Sequence, residues 1–182
     1  MTSVRRDGLC PAALLAVAAV GILAASASID EAYAHEGPNR TVAMNPEGLT
    51  IRPSSYGPKE TMDRLAASVV DKGMAILARI DHAAAAAKAG LELRPTEVLI
   101  FGNPRAGTPL MQAAQTIGID LPLKVLVWQD EKGETWLAYN DPNWLAKRHG
   151  ADLGTDTVPA SMAEGLSALA DEATTRTTRE AP

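Results

Sequence analysis

The sequence predicts an α/β fold on the border of α+β: a mixed β-sheet built from β-α-β-α-β-α units, closed by a C-terminal β-hairpin, with helices packed on the sheet. Three observations carry this. Apolar runs of strand length alternate with segments of helical period. Glycines and prolines fall at the junctions between them. Two late strand patterns are separated only by Asp130-Glu131-Lys132-Gly133, which reads as a hairpin turn. Strands joined through single helices are usually parallel, with right-handed crossovers, so parallel pairing is expected ahead of the hairpin.

The chain opens with a leader. Arg5 and Arg6 precede the apolar run from Ala12 to Ala25, which is shorter than the roughly 20 residues of a comfortable membrane span. Ala32-Tyr33-Ala34 is a small-x-small cleavage pattern, so cleavage is expected after Ala34, with Ala25 and Ala27 as a competing site and retention as an anchor as the alternative. The expected organisation is a signal peptide at 1–34, a flexible lead-in at 35–47, an α/β domain at 48–150 and a C-terminal helical tail at 151–182. The expected location is periplasmic or secreted, by the Sec or the twin-arginine route.

Within the domain, Gly48 to Tyr56 alternates apolar and polar residues and reads as a first strand, which Pro53 places at an edge or ends early. Pro58 to Asp71 is the clearest helix. Met62, Leu65, Ala66, Val69 and Val70 make one apolar stripe, Pro58 suits the first helical position and Gly73 suits a left-handed C-terminal cap. Met74 to Ile80 reads as a well-buried strand. Asp81 can cap a thin alanine helix, His82 to Ala89, which Gly90 stops. Glu97 to Phe101 is a strand too apolar to be half exposed. A turn over Asn103 to Gly107 leads to a helix from Pro109 to Ile117 with Thr108 as cap, or from Pro104 with Asn103 as cap. Leu121 to Gln129 and Glu134 to Tyr139 form the hairpin. Pro142 to His149 is a short helix ended by Gly150, and the tail from Thr157 to Thr175 carries Met162, Leu166, Leu169 and Ala170 at helical spacing.

Composition narrows the chemistry. The chain has 17 basic and 22 acidic residues, a formal net charge of −5. Loss of Arg5, Arg6, Asp7, Asp30 and Glu31 with the leader leaves it at −4, with no electrostatic footprint for nucleic acid or anionic membrane. The single cysteine, Cys10, falls in the leader. The mature domain therefore has no disulfide, thiolate zinc site or cysteine nucleophile. No G-x-S-x-G elbow, P-loop or H-x-x-x-H pattern is present, and no cofactor is expected.

If the strands leading into Asp81-His82 and Gly102-Asn103 are parallel neighbours, both loops open on the same side. Asp81, His82, Asn103, Arg105 and Thr108 then line one ligand pocket at the carboxyl ends of the strands. Helix starts and Arg105 would favour an anion. The plainer reading makes Asp81 an N-cap, Asn103 and Thr108 turn and cap residues, and His82 a partly buried histidine bonded to a carbonyl. If the protein is an enzyme, which this sequence gives little ground to expect, neutral His82 is the candidate base, with Asn103 and Arg105 orienting an anionic substrate. As a metal-binding accessory protein it would use His82, or His35, whose terminal amine and imidazole can chelate copper after cleavage. His149 reads as a solvated cap. Trp128, Trp136 and Trp144 read first as core bulk, with a dimer interface or pocket wall as alternatives.

Several segments together resemble the domain of unknown function 302 family: I-D-H-A at Ile80 to Ala83, G-L-E-L-R-P-T at Gly90 to Thr96, L-I-F-G-N-P at Leu99 to Pro104, G-T-P-L-M at Gly107 to Met111, D-L-P-L-K-V-L-V-W at Asp120 to Trp128, and Y-N-D-P at Tyr139 to Pro142. The resemblance covers about residues 48 to 150. It implies a compact α/β domain that associates as a homodimer, and it implies no activity, substrate or cofactor.

Overall fold

The computed structural model describes residues 46–151 and 157–176. The expected leader, His35 and most of the lead-in lie outside the described residues. The elements run β1 (Leu49–Ser54), α1 (Pro58–Asp71), β2 (Ala75–Asp81), α2 (His82–Lys88), β3 (Thr96–Gly102), α3 (Pro104–Ala113), a 3-10 turn (Gln115–Ile119), β4 (Leu123–Gln129), β5 (Thr135–Asn140), α4 (Pro142–His149) and α5 (Val158–Thr174).

Local chemistry explains most boundaries. α1 starts at Pro58, whose missing N–H is no loss there, and Gly73 follows it at φ +70°, a conformation other residues adopt at a cost. The Asp81 carboxylate accepts the Ala84 N–H and starts α2. Asn103 does the same for the Arg105 N–H, so α3 begins at Pro104, the earlier of its two expected starts. Asp141 accepts from Asn143 and Trp144 to open α4, and Gly150 closes it in the left-handed region. In the hairpin, Asp130 accepts the N–H groups of Lys132 and Glu134, and Gly133 turns at φ +81°.

The five strands form one sheet in the order β1-β5-β4-β3-β2. The α/β class, the closing hairpin and the helices packed on the sheet are as the sequence predicts. Strand direction is not: all four ladders are antiparallel, including β2 with β3. A parallel neighbour needs a crossover of a dozen or more residues that runs back the length of the sheet. The connection here has fourteen residues, 82–95, but its helix α2 has only seven, about 10 Å at 1.5 Å per residue against roughly 24 Å for the seven residues of β2, so it turns the chain round and β3 returns beside β2. α1 does cross, but it carries the chain from one edge of the sheet to the other, and β1 and β2 never meet. Pro53 sits on an edge strand, where its missing donor is harmless.

α1 and α5 cover one face of the sheet. Met62, Leu65 and Val69 of α1 and Leu166, Leu169, Ala170 and Ala173 of α5 pack on Leu99, Phe101, Val125, Val127, Leu137 and Tyr139 of the sheet. At about 1.5–3 kcal/mol for each large side chain removed from water, this cluster is the main stabilising term. α5 is thus part of the core rather than a tail. Arg79 of β2 binds Glu97 of β3 and reaches Asp63 of α1 at 2.6 Å, fastening the edge strand to the helix layer.

On the opposite face the alternating residues Ile51, Val98, Ile100, Leu126, Trp128 and Trp136 are apolar, half-buried and outside the core cluster. Trp128 and Trp136 stack there across the hairpin, with centroids 6.5 Å apart, so they are not the core bulk their number suggests. β2, expected to be well buried, is an exposed edge: Leu77 is 58% exposed and Ile80 40%. Its apolar run marked accessible surface, which a run of that length cannot distinguish from burial.

A candidate ligand cavity at one end of the sheet

β2 starts, β3 ends and β4 starts at the same end of the sheet, because antiparallel neighbours alternate direction. α3 leaves that end and α5 passes over it. Between them lies a cavity of about 650 Å³, within the range of small-molecule sites. Its walls are apolar: Met74, Ala75 and Leu77 from the β2 side, Phe101 and Leu123 from the sheet, Met111 from α3, and Met162, Leu166 and Leu169 from α5. Small residues keep it open. A Cβ on Gly165 of α5 would meet no atom within 4 Å, and one on Gly107 would come only to ordinary contact with Leu121 and Met111. Three methionines, one each from the β2 side, α3 and α5, give it a deformable surface, since the unbranched thioether chain adapts to irregular shapes.

Polar groups are sparse among the described residues of this lining: Asn103, Thr108, Thr157, Ser161 and one ionisable side chain, Lys72, at the end of α1. The Lys72 ammonium lies 2.7 Å from Glu172 Oε1 of α5. That contact, helped by Ser68, holds the Glu172 carboxyl below its usual range against the opposing effect of burial.

The residues expected to form one pocket separate into two groups. The β2–β3 register pairs Asp81 with Glu97 and Ala75 with Gly102. Asp81 and His82 therefore sit at one end of this ladder and Asn103 at the other, about 20 Å apart at roughly 3.4 Å per residue. His82 is exposed at the start of α2, with neither Asn103 nor Arg105 near it, and it is not the partly buried histidine of the plainer reading. Asp81 and Asn103 are N-caps. Asn103 and Thr108 do line the cavity; Arg105 is exposed and does not. Thr108 lies inside α3 rather than capping it. The sequence reading missed Lys72, Met74 and the α5 wall. Met74 read as core and α5 as a tail, and only the fold brings them to one place.

A second polar cluster joins α4 to the 3-10 turn. The His149 ring approaches Asp120 Oδ2 at 2.7 Å through Nε2 and Thr116 Oγ1 at 3.1 Å through Nδ1, and Arg148 adds a 3.3 Å contact to Asp120. His149 is a tie between elements rather than a solvated cap. These residues are not among those lining the cavity. Among the described residues no group of three or more His, Cys, Asp or Glu side chains could hold a metal ion, and no helix is long and apolar enough to cross a membrane.

A single open sheet with helices on one face and an apolar cavity at its end defines a small α/β domain class. The model of the family described as "Domain of unknown function DUF302" matches residues 50–169, and the chain belongs to this family. The match takes in α5 as far as Leu169. A crystal structure of an uncharacterized conserved protein DUF302 from Bacillus stearothermophilus superposes with a TM-score of 0.62, covering 70% of this chain and 98% of that one at 23% identity, a likeness of fold. The chain is 48% identical over 118 residues to a protein of Brucella suis biovar 1 named Fluoride-specific ion channel FluC 1, covering 65% of this chain and 46% of the relative. It is also 48% identical to Fluoride-specific ion channel FluC 2 of Brucella melitensis biotype 1, covering 44% of that protein. The chain spans about half the length of these curated relatives.

Proposed function

We propose that this domain is a small-molecule binding protein whose ligand occupies the cavity between α3, α5 and the sheet. The observation that carries the reading is an apolar, methionine-lined space of about 650 Å³ kept open by Gly165 in the middle of the covering helix. A protein that needed only stability would fill it, since an unfilled apolar volume forfeits dispersion contacts. The same cavity weighs against a bare anion as the whole ligand, because a small hydrated ion would lose its water to a wall of methyl and thioether groups. For that reason fluoride conduction, the activity in the names of the longer Brucella proteins, is not carried over. The His82-based enzyme loses its supporting groups to the far end of the ladder.

The test is binding of a neutral apolar fluorophore, N-phenylnaphthylamine, to wild type and to Gly165→Leu. The leucine fills the cavity from a position with room for its Cβ. The expected result is saturable binding by wild type, weakened at least about tenfold in the variant, with no loss of thermal stability. Equal binding by both proteins places the ligand elsewhere and removes the proposal.

The leader motif supports export of the domain, and detection of a mature chain starting at His35 by mass spectrometry tests that. The sheet face that no helix of the core cluster covers, half-buried and apolar among the described residues, supports a homodimer. Lys124 is the one charged side chain among the strand residues of that face, and its ammonium is turned to the carbonyls of Asp120 and Pro122. An apolar sheet face with one engaged lysine meets a second copy of itself with little like-charge repulsion, in the aligned sheet-on-sheet manner. Sedimentation should give a dimer for wild type at micromolar concentration and a monomer of unchanged circular dichroism for Leu126→Lys. A monomeric wild type removes the dimer.

A further inference from the structure

We infer that the ligand is an amphipathic acid, a molecule with an apolar body for the cavity and one carboxylate that Lys72 takes over from Glu172. The inference rests on the cavity reading and adds the class of ligand to it. Among the described residues Lys72 is the one ionisable residue on the cavity lining, and it is a cation. The lining has, among the described residues, no acid to repel a carboxylate, and none to attract an amine. A neutral ligand would leave Lys72 where it is. An ammonium-bearing ligand would face Lys72 with like charge.

The Lys72–Glu172 pair is suited to exchange. Both side chains are well exposed, 38% and 47%, so the pair contributes little to stability and its partners reorient freely. Glu172 belongs to α5, one turn beyond the wall residue Leu169, so Lys72 already holds a carboxylate near the cavity. A ligand carboxylate there finds the same ammonium, while its body displaces water from the apolar lining. The exchange has no covalent step; Glu172 turns to solvent. Asn103, Thr108, Thr157 and Ser161 offer further hydrogen-bonding groups on the lining. The cation that serves the cavity is thus Lys72 and not Arg105.

Three probes share one apolar body and differ in the head: octanoate, octanol and octyltrimethylammonium. Each is titrated against bound N-phenylnaphthylamine. Wild type is expected to prefer octanoate over octanol about tenfold and to bind the ammonium most weakly. Lys72→Met should equalise octanoate and octanol while leaving octanol unchanged. Lys72→Arg should retain the preference, and Glu172→Gln should strengthen octanoate by removing its competitor. Equal octanoate and octanol affinities in wild type, or a preference that persists in Lys72→Met, overturns the assignment of the head group and leaves the cavity reading standing. Failure of all three probes to displace the fluorophore overturns both.

Discussion

Gly48 shows how closely the backbone of this domain is constrained. It lies at φ +79° just before β1, its carbonyl accepts the Asp141 N–H, and a Cβ built on it would fall 2.1–2.6 Å from three ring atoms of Trp144. Gly48→Ala therefore combines left-handed strain with a clash against a large ring, and should lower unfolding stability by about 2–5 kcal/mol in urea titrations. Gly57→Ala, at φ −67° with open space around its Cβ, is the control and should change stability by no more than about 1 kcal/mol. Residue-scale features were legible in the sequence where their partners are local. Asp81 and Asn103 could be read as caps because each bonds an N–H two or three positions on. His149 could not be read as a tie to Asp120 and Thr116, because its partners come from a distant turn.

At the scale of elements, α5 is the instructive case. Its sequence reads as a helix, but nothing local tells that it packs between α1, the sheet and the cavity. Gly165 weakens it, as glycine does inside any helix, and with no atom in the way Gly165→Ala should raise stability by about 0.5–1 kcal/mol in chemical denaturation. A smaller cavity should accompany the gain, and with it some loss of probe affinity. The bounds of α1 were legible because a proline, an apolar stripe and a glycine all mark them. Strand direction was not. Periodicity tells which residues share a face but names neither the neighbour nor its sense, so β2 and β3 looked like parallel strands, whereas their ladder is antiparallel. The expected single pocket failed with that one reversal.

For the molecule as a whole, several carboxylates are stabilised in the ionised form by folding. Lys59 and then Arg79 hold Asp63 low, the Trp136 indole N–H and the hairpin N–H groups hold Asp130 low, and Lys72 holds Glu172 low. A carboxyl with a depressed folded-state pKa binds protons less readily than in the unfolded chain. Its contribution is complete above the ordinary carboxylate range and is lost as pH falls through the folded pKa. Urea midpoints should therefore be level near neutrality and decline below about pH 4; in Asp63→Asn the decline should be shallower and the neutral-pH midpoint lower. The sheet order has one more consequence. The first strand has a single neighbour, β5, whose residues Thr135–Asn140 are the last strand to be made. During synthesis β1 must wait, unpaired, until the other four strands are made, and the loop that closes to seat it is the longest in the sheet. β1 docking should thus be the last of the strand pairings to form, with amide exchange in β1 losing protection before that of β3 and β4.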